Sequence, residues 1–226
     1  MLTRRSLLAV LVVGLVGGCT PSPDSAGPLP DGPGLVAASA TAITGLRSVR
    51  FTLGVSGTIP GLPIRQIDGD ATLDGGPHGT AKGHADIQES TDRFQADYVL
   101  RDDKLFITGT DGKRREVPAP PQYLPAALLD SSGGLHRLLA GATDMKTEIK
   151  EKLGNVETYR VAAKIPKAVI SSVVPGIKSD VDVKFWVDQA ESHQLMRVWM
   201  QVPPIQQNEG AVMLELALSN QNVPVS

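Results

Sequence analysis

The chain has 226 residues, 22 basic and 24 acidic side chains, and a formal net charge of −2 at pH 7. This mildly acidic balance argues against nucleic acid as a partner, because nucleic-acid binding calls for a clustered basic surface. The single cysteine excludes an intramolecular disulfide. An exported domain of this chain would therefore depend on its hydrophobic core alone.

The first 18 residues have the layout of a bacterial export signal. Arg4 and Arg5 precede an uncharged run that ends at Gly18, which is shorter than the ~20 residues of a membrane-spanning helix. The stretch Val16-Gly17-Gly18-Cys19 resembles a lipoprotein lipobox, so Cys19 is predicted to become the first mature residue and to carry a diacylglyceryl group. A buried structural cysteine is the alternative, and the position of Cys19 between an apolar run and a Pro-rich stretch disfavours it. The export route, general secretory or twin-arginine, stays open.

Residues 20–34 read TPSPDSAGPLPDGPG and contain too much Pro, Gly and Ser to form a core. We predict a lipoprotein signal peptide at 1–18, a lipidated flexible tether at 19–34 and a single folded domain at 35–226. At about 3.3 Å per residue, the stretch 20–34 reaches at most ~50 Å. The anchor predicts a position on the outer, periplasmic face of the cytoplasmic membrane, in the cell envelope.

From Val49 onward, apolar and polar side chains alternate with a two-residue period, which predicts strands with one apolar face. About ten strands are expected, from eleven candidate stretches at 49–59, 66–73, 81–88, 94–100, 104–110, 113–117, 145–152, 156–165, 181–187, 196–202 and 212–218. Asp111-Gly112 favours a type I′ hairpin turn. Short helices are predicted at 35–46, 124–141 and 166–174.

The predicted helices are too few to cover the predicted sheet completely. Ten strands at a spacing of ~4.8 Å make a sheet about 48 Å wide, whereas three helices of ~10 Å diameter cover about 30 Å of it. Either the sheet curls strongly or closes, or its uncovered apolar face is lined for another apolar molecule.

The inward side of the first few predicted strands carries apolar side chains, but many of them are small. It carries small residues at Gly57, Gly69, Ala71, Gly83, Ala85 and Ala96, and only 4% of the chain is aromatic. One interpretation is that these residues accommodate strand twist or close packing. The other is a broad hydrophobic cavity without a recurring polar group, which suits acyl chains better than a sugar, an ion or an amino acid.

Several long stretches resemble one protein family. They are GPLPDGPGLVAASATAITGLRSVRFTLGVSGTIPGLPIRQIDGDAT, NVETYRVAAKIP, FWVDQAESHQLMRVWMQV and VMLELALSN. This pattern is similar to the mycobacterial LppX/LprAFG lipoproteins, most closely to the LprG branch, and covers nearly the whole mature chain. The resemblance implies an α+β, mainly β fold, with a strongly curved antiparallel half-barrel and a few short helices over its concave face. It also implies a hydrophobic cavity between the sheet and the helices that binds triacylated lipids or glycolipids, such as phosphatidylinositol mannosides, lipoarabinomannan or triacylglycerides.

Inward-facing apolar residues of the strands and of the 124–141 helix are predicted to line this cavity. They are Phe51, Leu53, Val55, Ile67, Ala71, Leu73, Ala85, Ile87, Phe94, Ala96, Tyr98, Leu135, Leu139, Val183, Phe185, Val198, Met200, Leu214 and Leu216.

No catalytic pattern stands out. The sequence lacks G-x-S-x-G, H-E-x-x-H, C-x-x-C and a P-loop, so no enzyme, cofactor or metal site is predicted. The carboxylates of Asp68, Asp70 and Asp74 do not match an EF-hand loop. Lys113, Arg114 and Arg115 are interpreted as a solvated hairpin tip, with contact to anionic headgroups as the alternative.

We therefore expect a membrane-anchored, non-enzymatic lipid carrier that acts as a monomer. Its expected partners are an acylated lipid or glycolipid, the cytoplasmic membrane through lipidated Cys19, and an envelope lipid transporter. The main alternative is an envelope scaffold or interaction lipoprotein that assists a transporter without carrying lipid. A weaker alternative is an esterase that acts on envelope lipids.

Overall fold

A computed structural model describes residues 27–89, 91–101, 103–204 and 210–224. The predicted signal peptide, Cys19 and most of the predicted tether lie outside these residues.

The described residues contain eleven strands in one antiparallel sheet. The strands are Ser48–Ser56 (β1), Ile64–Thr72 (β2), Thr80–Glu89 (β3), Asp92–Arg101 (β4), Lys104–Gly109 (β5), Arg114–Pro118 (β6), Thr143–Leu153 (β7), Val156–Ile165 (β8), Val181–Asp188 (β9), Leu195–Val202 (β10) and Val212–Ser219 (β11). Their order is β6-β5-β4-β3-β2-β1-β11-β10-β9-β8-β7, so two meanders meet where β1 pairs with β11. The predicted mainly β fold, a curved antiparallel sheet with few helices, is confirmed.

Four short α-helices lie on one side of this sheet within the described residues, and a 3-10 turn at Pro121–Tyr123 precedes the second of them. The α-helices are Gly32–Ile43 (α1), Pro125–Leu129 (α2), Gly134–Ala140 (α3) and Lys167–Val173 (α4). Helix α1 packs across β7, β8, β9 and β10 and against α3, which also contacts α2 and α4. The helical layer is therefore centred on the half of the sheet that ends at β7. None of the helices in the described part of the chain has the length and hydrophobicity to cross a membrane.

Helix α1 begins at Gly32, before the Leu35 start that the sequence predicted. The Asp31 carboxylate caps it by accepting a 2.9 Å hydrogen bond from the Gly34 amide, and a proline occupies the first turn. The Thr147 hydroxyl donates a 2.8 Å hydrogen bond to the Pro30 carbonyl, which ties this entry to β7. The predicted start was wrong because the capping residue lies within the Pro-rich stretch.

The single helix predicted over 124–141 was also wrong, because a turn divides it into α2 and α3. The Asp130 carboxylate accepts hydrogen bonds from the Ser132 amide at 3.2 Å and from the Ser132 hydroxyl at 2.9 Å. These bonds lower the pKa of Asp130. Such an aspartate-centred turn competes with helix propagation, so α3 starts again only at Gly134.

The turn between β5 and β6 differs from the predicted type I′ turn. The Gly112 amide donates to the Gly109 carbonyl at 2.9 Å, and Gly112, but not Asp111, has a positive φ, of 71°. A type I′ turn needs positive φ at both central residues. The loop has one residue more than the predicted two-residue turn, and Gly112 is its residue in the left-handed conformation.

The backbones of β2 and β3 approach each other closely where Gly69 of β2 pairs with Gly83 of β3. A Cβ on Gly83 would lie 1.9 Å from the Asp68 carbonyl oxygen, and a Cβ on Gly69 would lie 2.2 Å from the Lys82 carbonyl oxygen. Glycine inside a strand marks such a close backbone approach. At these two positions the small residue therefore serves the curvature of the sheet and does not enlarge a cavity.

Replacing Gly83 by alanine is expected to lower the free energy of unfolding by about 3 kcal/mol, because the added methyl group overlaps backbone that cannot move aside. Urea denaturation followed by tryptophan fluorescence measures the change. Gly54→Ala in β1 is the matched control, since a Cβ there has no atom within 4 Å. Equal stability of the two variants would contradict the close approach of the β2 backbone to Gly83.

Candidate functional site

The predicted cavity-lining residues of the strands share one face of the sheet, which we call the inner face. The strand registers align Leu53 with Ile67, Ile67 with Ala85 and Ala85 with Ala96. On the other half, they align Val183 with Met200 and Met200 with Leu214. All of the predicted residues except Phe94 and Ala96 belong to one hydrophobic cluster, which includes the predicted Leu135 and Leu139 of α3.

Over β9, β10 and β11 the inner face is closed by the helical layer. Val183 is 1% exposed, Phe185 0% and Val198 1%. Met200, Leu214, Leu135 and Leu139 are buried with them. This part of the molecule is a filled core in this structure.

Over β1–β4 the inner face is less covered. Partly exposed apolar side chains from these strands and from β11 form what we call the apolar strip. Its members are Leu53, Ile64, Ile67, Ile87, Phe94 and Leu216. Phe94 is 41% exposed, whereas the small residues Ala85 and Ala96 between the larger side chains are buried. The strip is the apolar surface that the helices leave open.

Ile64 is the strip residue that the sequence-based prediction missed. The β2–β3 register shifts between Ile64 and Gln66, so an extra residue brings Ile64 and Ile67 to the same face. A strict two-residue alternation assigns them to opposite faces. No signal in the sequence marks this bulge.

Tyr98 crosses the inner face next to the strip. It starts on β4, and its hydroxyl donates a 3.3 Å hydrogen bond to the Asp68 carbonyl on β2, across the intervening Gly83 of β3. The side chain is buried, and burial raises the pKa of its hydroxyl well above the usual value. The phenol therefore stays neutral and keeps this bond throughout the physiological pH range.

The opposite, outer face of β1–β5 is polar. Arg50 pairs with Asp70 at 2.8 Å, Arg93 pairs with Asp86 at 2.5 Å, and His84 pairs with Asp97. Hydrogen bonding from Arg50 lowers the pKa of the Asp70 carboxyl.

Two grooves of about 540 and 410 Å³ lie among these outer-face side chains and share Gln66, Asp68, His84 and Asp97. A third cavity of about 270 Å³ lies between α2, α3 and α4. The residues that the structure describes contain no cluster of three side chains able to hold a metal ion.

The structure separates the three consecutive basic residues of β6 and its turn. Arg114 stacks on the Phe106 ring of the outer face at 4.1 Å, and the Lys113 ammonium lies 3.7 Å from the Asp111 carboxylate. Arg115 aligns with Ile107 and Tyr98 on the inner-face side. The three side chains therefore do not form one basic patch.

Trp186 of β9 and Trp199 of β10 alternate with the core residues of these strands and therefore lie on the outer face of the sheet. The Trp186 indole donates a 2.7 Å hydrogen bond to Glu151, and Arg160 bonds the same carboxylate at 3.2 Å. Near the β9–β10 turn, the His193 ring nitrogen Nδ1 lies 3.2 Å from the Asp188 carbonyl oxygen.

Comparison with known proteins decides the family. The LppX_LprAFG lipoprotein model matches residues 31–226. The chain belongs to this family. It is 29% identical over 198 residues to the lipoarabinomannan carrier protein LprG of Mycobacterium tuberculosis, covering 86% of this chain and 81% of that protein. It is 26% identical over 231 residues to LprG of Mycobacterium leprae, covering 98% and 94%.

Solved structures of two family members have the same fold. The crystal structure of LprF from Mycobacterium bovis superposes with a TM-score of 0.74 at 22% identity, covering 88% of this chain and 96% of LprF. LppX from Mycobacterium tuberculosis gives a TM-score of 0.67 at 23% identity, covering 87% and 99%. The curved open sheet is thus the architecture of this LppX_LprAFG lipoprotein and of its relatives.

Proposed function

We propose that this LppX_LprAFG lipoprotein binds the acyl chains of triacylated lipids or glycolipids on its inner face and carries them across the cell envelope without catalysis. The observation that carries the proposal is the apolar strip, where Phe94 is 41% exposed on the core side of the sheet. A soluble domain normally buries such a surface. Bound acyl chains would cover the part of the inner face that the helices leave exposed.

The energetics of exchange suit a partly open surface. Removing an acyl chain from water is worth ~0.8 kcal/mol per CH₂ group, but the donor is a membrane in which the chain is already apolar. Net transfer to the strip is therefore close to balanced, and the lipid can load and unload. Contacts with the headgroup or with a partner then set the direction of transfer.

The ligand class is supported by the names of the relatives, which are called lipoarabinomannan carriers. We propose phosphatidylinositol mannosides, lipoarabinomannan and triacylglycerides as ligands of this chain, because each presents several acyl chains to one apolar surface.

The anchor completes the proposal. Cleavage after residue 18, lipidation of Cys19 and a tether up to the start of the domain would hold a monomer at the outer face of the cytoplasmic membrane. Confinement to that surface raises the encounter rate with donor lipid and with an envelope lipid transporter.

Lipid extraction tests this function. Protein purified from its native host as a Cys19→Ala variant is expected to yield acylated lipid in a stoichiometric amount on organic extraction and mass spectrometry. The same protein unfolded in urea and refolded without lipid serves as the blank. Reproducibly lipid-free native protein would contradict the carrier function.

A scaffold role is the second candidate, and the filled core under the helices favours it. Phe185 and Val183 are 0% and 1% exposed, so this half of the inner face has no room for a ligand as it stands. Lipid-free protein that still binds a transporter through its outer face would support this role.

A further inference from the structure

The apolar strip is closed on one side and open on the other. Toward β10 it meets the filled core, where Val198 is 1% exposed under the helical layer. Toward β4 it approaches a free edge of the sheet, because β6 is the terminal strand of this half. Since the polar headgroup of a bound lipid has to stay in water, it lies on an open side of the strip.

Arg115 of the edge strand β6 belongs to this open side. It aligns with Ile107 of β5, which aligns with Tyr98 of β4, so its side chain starts on the inner face. The same cross-strand row continues to Phe51 of β1 without another charged residue. Ile107 is partly exposed and extends the apolar surface from β4 toward Arg115. Two strand spacings of ~4.8 Å separate β6 from β4, a distance that an extended arginine and a headgroup cover together.

The charges next to Arg115 are already paired. The Asp111 carboxylate lies at this end of the inner face, since a Cβ on Gly109 would lie 3.1 Å from its Oδ1 atom. It accepts a 3.0 Å hydrogen bond from the Lys113 amide and lies 3.7 Å from the Lys113 ammonium. Arg115 is exposed and forms no ion pair with any residue in the described part of the chain. Its guanidinium is therefore available to an anion.

The β3–β4 hairpin forms another open side of the strip, and its charge is negative. Asp92 lies two residues before Phe94 on the same face of β4 and is exposed. An anionic group held there would meet a like charge. Of these two open sides, the one with Arg115 therefore favours an anionic headgroup.

We propose that Arg115 binds the phosphate of an anionic acylated lipid whose chains lie on the apolar strip. This inference rests on the proposed function. A guanidinium presents two parallel N–H donors to two phosphate oxygens, and its aliphatic stem covers Ile107 while the charge stays in water. The protein thus selects phosphate-bearing lipids over neutral acylglycerols.

Competition between two lipids tests this role. The mature chain with Cys19→Ala, unfolded in urea and refolded without lipid, is incubated with phosphatidylcholine vesicles that hold equal amounts of phosphatidic acid and diacylglycerol. The two lipids carry the same acyl chains, so the phosphate is the difference between them. Native mass spectrometry measures the ratio of bound phosphatidic acid to bound diacylglycerol. Arg115→Gln is expected to lower this ratio about tenfold, the loss for one charge-assisted contact.

Arg114→Gln is the matched control, because Arg114 is the preceding residue and stacks on Phe106 of the outer face at 4.1 Å. This variant removes the same charge from the same strand and is expected to keep the wild-type ratio. An equal fall in both variants would overturn the proposal, since net charge and not the inner-face position would then set the ratio.

A wild-type ratio in Arg115→Gln protein that binds both lipids would overturn the role of Arg115 and leave the carrier function intact. Arg115 would then be a charge that protects a free sheet edge from strand pairing. Wild-type protein that binds neither lipid would overturn the carrier function as well.

Two measurements on the wild-type chain cover an Arg115→Gln protein that fails to fold. The ratio is expected to fall as sodium chloride is added, because salt screens an exposed guanidinium–phosphate pair, and a salt-independent ratio would overturn the proposal. Calorimetric titration with inorganic phosphate alone is expected to show no saturable binding, because the free anion lacks the acyl chains. Saturable binding would indicate a site for free phosphate and overturn the assignment to a lipid headgroup.

Discussion

Replacing Phe94 by aspartate is expected to lower the amount of bound lipid at least tenfold while leaving the fold intact. Full burial of a phenylalanine side chain is worth about 1.5–3 kcal/mol, and a carboxylate placed against an acyl chain adds the cost of its desolvation. A loss of ~1.4 kcal/mol already corresponds to a factor of ten in affinity. Because Phe94 is 41% exposed without ligand, the free protein loses little packing.

Val99→Asp is the matched control for this variant. Val99 lies on the same strand, is also 41% exposed, and faces the outer side of the sheet. It is expected to bind wild-type amounts of lipid, measured by native mass spectrometry of both variants after equal purification. Equal lipid loss in the two variants would contradict binding at the strip, because the effect of the charge would then not depend on the face of β4 that carries it.

Replacing Cys19 by alanine is expected to abolish acylation and to move the protein from the membrane fraction to the soluble fraction. A single apolar run that is too short to span a bilayer cannot retain the protein once the lipid is lost. Growth with a labelled fatty acid, followed by fractionation and gel analysis, measures both effects.

Ser25→Ala in the same Pro-rich stretch is the control, and this variant is expected to keep both the label and the membrane association. Membrane retention of Cys19→Ala protein at the wild-type level would contradict lipid anchoring through this residue. The assay is independent of ligand binding, so it separates the anchor from the carrier function.

The alternation of apolar residues predicted the strands well because each strand has one face toward the core. It did not predict the Asp130 turn that divides α2 from α3, since that turn depends on hydrogen bonds between a carboxylate and its neighbours. Nor did it predict that Asp31 caps α1, because the Pro-rich composition around it is typical of a linker. Local side-chain hydrogen bonds therefore outweighed composition and period in both places.

The candidate site could be predicted only in part from the two-residue period of the strands and from the small amount of helix. The period placed Ile67, Ala85 and Phe94 on one face, and the shortage of helix indicated an incompletely covered sheet. It did not distinguish the covered half from the open half, because that depends on where α1 crosses the sheet. The roles of Gly69 and Gly83 also required coordinates, since a glycine that permits curvature and one that lines a cavity look alike in sequence.

Photo-crosslinking of a bound lipid tests the central claim most directly. The wild-type domain is loaded with a lipid whose acyl chain carries a mid-chain diazirine, irradiated, digested and mapped by tandem mass spectrometry. Binding to the inner face predicts adducts on Ile67, Ile87 and Phe94. Adducts confined to outer-face residues such as Val99 and Met213, or the absence of adducts on a loaded protein, would contradict it.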